Sequence, residues 1–531
     1  MEPSAIVSGV PRPGAAARGR GARPFARWGV VALPTVIAAV LGAIDLGGRS
    51  LWLDESATFA IAAQHGAALA SAMARDGGNM LGYYALIHVL VDWFGSGTVV
   101  LRAPSVVGGA ATTALVTVLA GRIFAPRVAM AAGVLTAVSL PAVFWEQDAR
   151  SYALLTAFVA GSYLGFVALI DPRAGGGRGR AWVGYVVATT LALYMSFVAV
   201  LVVPAQLASL ASSGRRARSV VSALVAVACL AAPLAVLAGA RGSGQLFWVP
   251  RPGLTVVGQV LVSLTSAGFQ PNFHLGATAL ALEVATLFAF AVALAVLVGR
   301  AVADRSSARV WGETVVVAWL VVPFVVALVE SVFAQPTFTA RNLLVSLPAA
   351  AIVLARVVAD RRLPRLAGAG LFALFVGLRA AQLAPSYGVS PENWRGATAD
   401  VLARTEPGDC IAFYPSDGRM AFTYYLDHGA PVSVALPRPV LPTTPLRQVV
   451  PYLERYTTLG GAQLGRVAAA CPRLWLLSSH EGSPTGPAAS VANYRRYVRL
   501  EMDLKGLYPR SSVVSFGWAS PVRVELFRRP S

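Results

Sequence analysis

Two short acidic segments carry the residues of this sequence that are best suited to chemistry. In "LWLDESATF" the carboxylates Asp54 and Glu55 stand side by side, a few residues after the first long apolar run. In "WEQDARSY" Glu146, Asp148 and Arg150 follow a later apolar run. A carboxylate at hydrogen-bond distance can take the proton of an acceptor hydroxyl, and a guanidinium binds the oxygens of an anion such as phosphate. The pattern therefore predicts general base catalysis beside an anion-binding site.

Isolated arginines and one tryptophan extend this set. Arg102 and Arg341 stand near the ends of apolar runs, and Trp248 and Arg251 lie in the segment "GQLFWVPRP". An ionised side chain costs roughly 2.5–3.5 kcal/mol at mid-bilayer and less at the bilayer edge, so it is retained there mainly when paired or functional. We expect these residues to contact substrate. The alternative is that the arginines only snorkel to the interface and that Trp248 is an interfacial anchor.

The acidic segments also have purely structural interpretations. Asp54 or Ser56 could cap a helix that begins at this point. Arg150 could simply pair with Glu146 one helical turn away, a surface contact worth about 0.3–0.5 kcal/mol. All these charges are nevertheless expected on one side of the membrane, and this coincidence favours the functional interpretation.

The composition is that of a protein with many membrane-spanning helices. Of the 531 residues, 56% are hydrophobic and 13% are charged, and the mean hydropathy is +0.62. Soluble domains carry about 25% charged residues. The formal charge of +19 comes from arginines that cluster between apolar runs. This placement is typical of the cytoplasmic loops of membrane proteins and argues against nucleic-acid binding.

Eleven apolar runs are candidate spans, since a helix needs about 20 apolar residues to cross a bilayer and short helices can pair. The runs cover residues 28–47, 98–121, 128–147, 152–170, 181–195, 197–211, 219–240, 276–299, 311–330, 341–358 and 366–384. The arginine clusters fall in alternate loops, which the positive-inside rule assigns to the cytoplasm. We therefore expect a cytoplasmic N-terminus and an extracytoplasmic C-terminus. The apolar segment 82–94 is then predicted to be an outer juxtamembrane helix.

These runs divide the chain into three predicted parts. Residues 1–27 form a disordered basic cytoplasmic tail, residues 28–384 form the transmembrane domain, and residues 385–531 form a small extracytoplasmic α/β domain. Short apolar segments predict strands at 410–414, 432–436, 473–479, 511–516 and 522–527. Cys410 and Cys471 each precede one of these strands in an oxidising compartment, where they can form a disulfide.

This topology restricts the class of substrate. The predicted cytoplasmic loops are short, and the chain has no Gly-x-Gly-x-x-Gly or P-loop motif for a nucleotide. An activated substrate must then arrive through the membrane, attached to a lipid. A polyprenyl-phosphate sugar fits this requirement, because its phosphate leaving group needs positive charge and its acceptor hydroxyl needs a base.

Four segments, in this order, resemble landmarks of the GT-C superfamily of polyprenyl-phosphate-sugar glycosyltransferases. They are "LWLDESATF", "YYALIHVLVDWFGSGTVVLRAPS", "WEQDARSYALL" and "PTFTARNLLVSLPA". The likeness is to the branch of protein O-mannosyltransferases, aminoarabinose transferases and rhizobial core-sugar transferases, in an actinobacterial form, and it covers residues 28–384. It implies the GT-C fold, with about eleven transmembrane helices and outer juxtamembrane helices. It also implies an inverting transfer at the outer face of the plasma membrane.

The resemblance implies a role for each acidic residue. Asp54 would be the general base, and Glu55 would support it or help to bind a divalent metal. Glu146 and Asp148 would form a second acidic site at the same pocket. If a metal such as Mg²⁺ or Mn²⁺ is required, Asp54 and Glu146 are its candidate ligands.

The resemblance implies substrate contacts for the arginines. Arg150 and Arg341 would face the phosphate of the donor, and Arg102 would shape the same pocket. Apart from the resemblance, the stretch with Trp248 and Arg251 is expected to be a lid or a substrate contact, and the alternative is an interfacial aromatic anchor. The transferred sugar is expected to be mannose, another hexose or a pentose, and the acceptor an envelope glycan, lipid or protein.

Two other functions are compatible with so apolar a chain. A transporter or a flippase for lipid-linked glycans would also need many spans, but such proteins usually show broken segments in two related halves, and we see no such repeat. An inactive GT-C relative could bind glycans through its outer domain. The acidic residue Asp54 argues against that interpretation.

Overall fold

The fold is seen in a computed structural model of the chain. The structure describes residues 24–170, 177–210, 217–241, 249, 251–266, 277–303, 310–360, 363–429, 435–448, 451, 456–518 and 520–529. Within these residues it is mainly helical up to Ser386 and mixed α/β beyond. Of the predicted tail, residues 24–27 belong to the first helix, and residues 1–23 lie outside the described part of the chain.

The helices are numbered in chain order. Those up to residue 210 are α1 Pro24–Ala43, α2 Leu53–Ala62, α3 Gly66–Arg75, α4 Leu81–Phe94, α5 Thr98–Ile123, α6 Pro126–Ala137, α7 Leu140–Glu146, α8 Tyr152–Ile170, α9 Arg178–Met195 and α10 Val202–Leu210. The later ones are α11 Ala217–Arg241, α12 Leu254–Leu264, α13 Ala277–Ala303, α14 Val310–Phe333, α15 Leu347–Val358, α16 Arg365–Ser386, α17 Trp394–Arg404, α18 Gly418–Gly429, α19 Gly461–Ala470 and α20 Ala488–Leu507. Short 3₁₀ turns at Phe197–Leu201 and Asn342–Ser346 precede α10 and α15.

Each of the eleven apolar runs coincides with helical structure. Five helices in the described residues are each long and apolar enough to cross a membrane, namely α5, α8, α11, α14 and α16. The run 128–147 is broken instead into α6 and α7, which meet at an angle of 58°. Pro141 lies in the first turn of α7, and a proline there cannot continue the hydrogen bonding of the preceding helix. The break places the end of α7 at the acidic segment.

The helix α4 matches the predicted juxtamembrane segment. It has 14 residues, and at 1.5 Å per residue it is about 21 Å long, which is shorter than the hydrocarbon core of a bilayer. Met80 at its start and Gly95 at its end both have positive φ values, of 60° and 81°. The chain therefore turns sharply at both ends of the helix.

Close backbone contacts hold the transmembrane helices together around α5 and α8. A Cβ atom on Gly108 of α5 would lie 2.8 Å from the backbone nitrogen of Leu154 in α8, and one on Gly165 of α8 would lie 2.8 Å from the backbone of Tyr185 in α9. Glycine at such points lets helices approach closely, as is common in membrane proteins. The contact at Gly108 packs α5 against the first turn of α8, close to the acidic segment that precedes α8.

The C-terminal part contains one five-stranded sheet. Its strands are β1 Cys410–Tyr414, β2 Arg438–Leu441, β3 Arg473–Ser478, β4 Arg510–Phe516 and β5 Val522–Arg528. Their order is β2-β1-β3-β5-β4, with β1 parallel to β2 and β3, and with β5 antiparallel to β3 and β4. The strand predicted at 432–436 falls mostly outside the described residues, and the sheet uses β2, a few residues further on.

A disulfide joins Cys410 at the start of β1 to Cys471 just before β3. The S–S distance is 2.07 Å and the Cα atoms are 5.8 Å apart. Because β1 and β3 are neighbouring parallel strands, their first residues lie side by side. The bond closes the connection between the two strands.

The C-terminal α/β part is attached to the loop between α1 and α2. The Leu51 N–H donates to the Tyr425 hydroxyl of α18 at 2.6 Å, and the Ser50 N–H donates to Ser390 Oγ at 2.9 Å. Arg395 of α17 donates to the carbonyls of Gly47 and Gly48, at 2.9 Å each. The segment that precedes the acidic pair is therefore held by the C-terminal part of the chain.

Candidate active site

The two acidic residues at the start of α2 have different positions. Trp52 precedes the helix in an extended conformation, and its N–H donates to Glu55 Oε2 at 3.3 Å. A glutamate at the third helical position is well placed for this contact. The side chain of Asp54 makes no such cap, and Ser56 Oγ donates to the Trp52 carbonyl at 3.0 Å. The contact that caps α2 therefore comes from Glu55. The side chain of Asp54 is directed to two arginines.

Glu55 forms a buried, bidentate ion pair with Arg102 of α5. Arg102 Nε lies 2.7 Å from Oε1 and Nη2 lies 2.7 Å from Oε2, and both side chains are at most 2% exposed. The Ala149 N–H also donates to Oε1, at 2.8 Å. Burial raises the pKa of Glu55, but the charge and hydrogen bonds of Arg102 outweigh it and leave the pKa below its usual value. Glu55 is therefore an anion that is held in place between the start of α2, α5 and the loop before α8.

Arg102 also organises the loop before α2. Its Nη1 donates to the carbonyls of Leu46 at 2.9 Å and Arg49 at 3.2 Å, and its Nη2 donates to the carbonyl of Ser50 at 3.3 Å. Its side chain is buried and does not extend to the interface as a snorkelling arginine would. Arg102 and Glu55 together join α2, α5 and the loop after α7.

Asp54 lies between two arginines that come from distant parts of the sequence. Arg341 Nη1 is 3.2 Å from Asp54 Oδ2, and Arg150 Nη2 is 3.8 Å from the same oxygen. Arg150 Nη1 also donates to the Asp54 carbonyl at 3.3 Å. The expected alternative, a pair between Arg150 and Glu146, is not found among the described contacts. The structure instead brings together the three charged residues that the sequence suggested for base and phosphate contacts.

Asp54 is also the most accessible of the four predicted carboxylates. Its side chain is 29% exposed, whereas Glu55, Glu146 and Asp148 are at most 2% exposed. A general base must reach its substrate, so exposure separates Asp54 from the other three. Two guanidinium groups against one carboxylate leave a local excess of positive charge. The arrangement can accept an anion beside a base.

Asp148 is buried next to Glu55. Its Oδ1 accepts a hydrogen bond from Trp52 Nε1 at 3.0 Å. Burial, together with the neighbouring Glu55 carboxylate, raises the pKa of Asp148 well above its ordinary value. Asp148 therefore orients Trp52 and has no direct access to solvent.

Glu146 lies apart from Asp54, in the helical part of the protein. Cβ atoms on Gly42 and Gly109 would lie 2.9 Å from Glu146 Oε2 and 2.0 Å from Glu146 Cγ, so only glycine leaves room for this side chain between α1 and α5. The small cavity that Glu146 lines does not include Asp54. The metal site suggested for Asp54 and Glu146 stays a prediction, and among the described residues neither carboxylate belongs to a group of three His, Cys, Asp or Glu side chains that could hold an ion.

The remaining predicted residues are Trp248 and Arg251. Trp248 lies outside the residues that the structure describes. Arg251 precedes α12 and is exposed, and no hydrogen bond or ion pair connects it to another described residue. The suggestion that these two residues cover the substrate stays a prediction.

Glu392 and His480 are site residues that the sequence did not single out. Glu392 Oε2 accepts the Leu53 N–H at 3.1 Å and the Trp394 Nε1–H at 2.8 Å, and its Oε1 lies 2.6 Å from His480 Nε2. Leu53 is the residue before Asp54, so the C-terminal α/β part reaches the start of α2. Glu392 belongs to the segment "PENWRG", and nothing in the sequence pairs it with a histidine 88 residues later.

The charge of His480 depends on this pairing. Desolvation lowers the pKa of His480, whose side chain is 39% exposed, but the Glu392 carboxylate and its hydrogen bond outweigh this effect. The charge of Asp54 raises the pKa further, to about 9. A raised folded-state pKa stabilises the fold fully below the unfolded value of 6.5 and loses that contribution as pH rises through about 9. At neutral pH His480 is therefore a cation paired with Glu392.

We expect the pH dependence of stability to report this pair. Between pH 6.5 and 9, wild-type protein should lose more stability than the His480→Gln variant. In this range the folded wild type keeps the proton on His480 and the unfolded chain does not, so unfolding releases a proton only in the wild type. The measurement is the thermal unfolding midpoint of both proteins in detergent across that range. Parallel curves for the two proteins would show that Glu392 does not hold His480 charged.

The sequence and the fold of this chain are similar to those of several known proteins. Residues 80–238 match the family model for dolichyl-phosphate-mannose-protein mannosyltransferase. The structure resembles ArnT from Cupriavidus metallidurans bound to undecaprenyl phosphate, with a TM-score of 0.55 and 14% identity over 93% of this chain and 98% of that one. It also resembles the oligosaccharyltransferase AglB from Archaeoglobus fulgidus in complex with an inhibitory peptide and a dolichol-phosphate, with a TM-score of 0.52 and 13% identity over 92% and 73% of the chains. No curated protein sequence matches this chain significantly. The predicted resemblance to GT-C proteins is confirmed, and the chain has their fold.

Proposed function

We propose, on the basis of this GT-C fold, that the chain is a membrane glycosyltransferase that moves a sugar from a polyprenyl-phosphate donor to a hydroxyl acceptor. The observation that carries the proposal is the exposed carboxylate of Asp54 between Arg150 and Arg341. A base beside two cations suits a reaction that deprotonates a hydroxyl and releases a phosphate. The undecaprenyl phosphate of the ArnT structure and the dolichol-phosphate of the AglB structure support a lipid phosphate as the donor.

The proposed orientation follows the arginine pattern of the sequence. The N-terminus would be cytoplasmic, and the region from residue 385 onward would lie outside the plasma membrane with the Asp54 site. Residues 28–384 would then form the catalytic transmembrane domain. The contacts between α18 and the loop before α2 support a site shared by both parts of the chain.

In the proposed reaction Asp54 accepts the proton of the acceptor hydroxyl. The acceptor oxygen forms a bond to the anomeric carbon of the donor as the bond from that carbon to the phosphate oxygen breaks. The attack comes from the face opposite the phosphate, so the configuration of the sugar is inverted. The proton stays on Asp54, and the polyprenyl phosphate leaves with the electron pair of the broken bond.

The arginines would stabilise the leaving phosphate. In the structure, without a donor, Arg341 and Arg150 are directed to Asp54. A bound phosphate offers the guanidinium groups a second anion at close range, and charge-assisted hydrogen bonds to it are roughly twice as strong as neutral ones. As these contacts form, Asp54 gives up part of its own pairing and becomes a better proton acceptor.

Glu55 and Arg102 would hold the site in place and would not react with the substrate. Both oxygens of Glu55 are occupied by Arg102 and by backbone N–H groups. A carboxylate held in this way cannot serve as a base without breaking a buried ion pair. We assign Glu55 the role of keeping the first turn of α2 in place.

A metal ion does not fit the described surroundings of Asp54 well. Mg²⁺ or Mn²⁺ takes oxygen ligands in a near-octahedral shell and is usually held by one or two carboxylates plus substrate phosphate. Among the described residues, Asp54 belongs to no group of three His, Cys, Asp or Glu side chains that could hold an ion. Its nearest charged partners are arginines, which would repel a cation. The proposed steps therefore rely on the side chains of the chain itself.

The proposed function is tested by an assay of sugar transfer from labelled donors. Membrane vesicles that contain the protein should move label from radiolabelled polyprenyl-phosphate mannose, or from the corresponding arabinose donor, to envelope material. Vesicles without the protein provide the background. Transfer from one donor would identify the sugar as a hexose or a pentose. If label stays on the lipid with every donor of the panel, the proposed donor class is wrong.

Replacing Arg341 should impair the use of the donor. We expect kcat/KM to fall by about 10²–10³-fold in Arg341→Met, because a group that stabilises the developing phosphate charge is lost. Arg341→Lys should recover part of this loss, since it keeps the charge but not the forked geometry. The control is Arg447→Met, which removes an exposed arginine from a surface pair with Asp427. Equal rates for Arg341→Met and the control would exclude Arg341 from the donor site.

A further inference from the structure

We propose that His65, His88 and Asp92 form a binding site for a divalent transition metal, with Zn²⁺ as the natural candidate. His65 lies between α2 and α3, and the other two residues are one turn apart on α4. One ligand atom from each side chain can be chosen so that all three lie within 4.8 Å of one another. The site is separate from Asp54, and it does not depend on the proposed transferase function.

The spacing of the three side chains is close to that of metal ligands. His65 Nε2 is 3.2 Å from Asp92 Oδ1, and His88 Nε2 is 3.6 Å from Asp92 Oδ2. Bonds of about 2.0–2.2 Å to a tetrahedral Zn²⁺ place neighbouring ligand atoms roughly 3.4 Å apart. Small rotations of these side chains would therefore complete a coordination shell.

The hydrogen bond of His88 to Ala62 leaves its other ring nitrogen available to a metal. His88 Nδ1 lies 2.7 Å from the carbonyl oxygen of Ala62, and a carbonyl can only accept, so Nδ1 carries the hydrogen. In the neutral imidazole the lone pair is then on Nε2, which faces Asp92. Metal-binding histidines usually donate their other N–H to a carbonyl or carboxylate in this way, which fixes the ring and increases its basicity.

The ligand types select the class of metal. Two imidazoles and one carboxylate suit Zn²⁺, Cu²⁺ or Ni²⁺, whereas Mg²⁺ and Ca²⁺ prefer all-oxygen shells. The side chain of His65 is 69% exposed, so the fourth position is open to water or to an added ligand. The site is thus accessible from solution.

A bound metal would connect the helix of Asp54 to α4. His88 already contacts the carbonyl of Ala62, the last residue of α2, and His65 follows three residues later. Coordination of His65 and His88 to one ion would fix the C-terminal end of α2 against α4. The metal would act as a clamp near the active site and not as a participant in transfer.

The test uses full-length protein in detergent after treatment with EDTA. Added Co²⁺ should produce the visible absorption of a four-coordinate N/O site, and Zn²⁺ should displace it, at one equivalent. His65→Ala and Asp92→Asn change exposed residues and should weaken binding by at least about 10–100-fold, the loss typical even for outer-shell partners. His88→Ala should remove the signal.

Two variants serve as controls for this site. Asp54→Asn should keep the cobalt signal, because Asp54 is not a ligand of the proposed site. His428→Gln should also keep it, since His428 contacts Ser96 and Tyr424 and none of the three ligands. Unchanged metal affinity in both His65→Ala and Asp92→Asn would overturn the proposal, and so would a wild-type protein that binds neither Co²⁺ nor Zn²⁺.

Discussion

The Asp54→Asn variant is expected to lose about 10²–10⁴-fold in kcat for sugar transfer, which is the range that a positioned general base contributes. Asparagine has nearly the same shape as aspartate and can still accept a hydrogen bond from Arg341. It cannot take up a proton at neutral pH. The acceptor hydroxyl would then have to attack without a base, while the arginines remain available for the donor phosphate.

Binding of the donor should therefore change much less than turnover. The measurement is a comparison of kcat with the affinity for polyprenyl phosphate in wild type and Asp54→Asn. Asp427→Asn is the matched control, because Asp427 is an aspartate of the C-terminal α/β part in an exposed pair with Arg447. Asp54 would be excluded as the base if Asp54→Asn, folded like the wild type, transferred sugar at the rate of Asp427→Asn.

The Arg102→Met variant is expected to lose about 3–5 kcal/mol of stability, the usual cost of leaving one partner of a buried ion pair alone. Methionine fills a similar volume but leaves the Glu55 carboxylate buried and without its bidentate partner. The carbonyls of Leu46, Arg49 and Ser50 lose donors as well. Because these groups hold the first turn of α2, transfer activity should fall together with stability.

The unfolding of purified protein in detergent, followed by heat or denaturant, measures this loss. Arg122→Met is the control, since Arg122 lies at the other end of the same helix, is exposed and forms no ion pair with another described residue. We expect the control to stay within about 0.5 kcal/mol of wild type, as surface substitutions usually do. Similar unfolding curves for the two variants would mean that the Glu55–Arg102 pair does not hold the loops together.

The sequence predicted the helices well because a bilayer imposes a simple constraint. Apolar length alone marks a membrane helix, and each of the eleven apolar runs coincides with helical structure. Four of the five predicted strands were also found in the described residues, because short alternating or apolar segments between helices are a clear signal for strands. The strand predicted at 432–436 lies mostly outside the described residues, and the sheet has a short edge strand, β2, a few residues further on, with a bulge in its pairing with β1.

Residue type and position alone do not separate Asp54 from Glu55, and only the resemblance to GT-C proteins implied different roles for them. Their surroundings differ because Asp54 is partly exposed between Arg150 and Arg341, whereas Glu55 is buried against Arg102, 47 positions later in the chain. Burial and partners of this kind are properties of the three-dimensional packing. The same reason explains the separation of Glu146 from Asp54, since the glycines that make room for Glu146 belong to other helices.

The contact of His480 with Glu392 was beyond prediction for a related reason. It joins the loop after β3 to the linker before α17, and it depends on how the C-terminal α/β part sits on the start of α2. A single histidine without ligand spacing gives no signal in the sequence. Only the folded chain shows that it pairs with Glu392.

Reconstitution of the protein with a doubly labelled donor tests the central claim most directly. The donor is a polyprenyl-phosphate sugar that carries one radiolabel in the sugar and another in the lipid, in vesicles supplied with an envelope acceptor extract. A glycosyltransferase separates the two labels, so we predict that wild-type protein moves sugar label to the acceptor and leaves lipid label on free polyprenyl phosphate, and that Asp54→Asn does neither. Both labels remaining together on an intact lipid that has crossed the bilayer would contradict the account and identify the protein as a flippase.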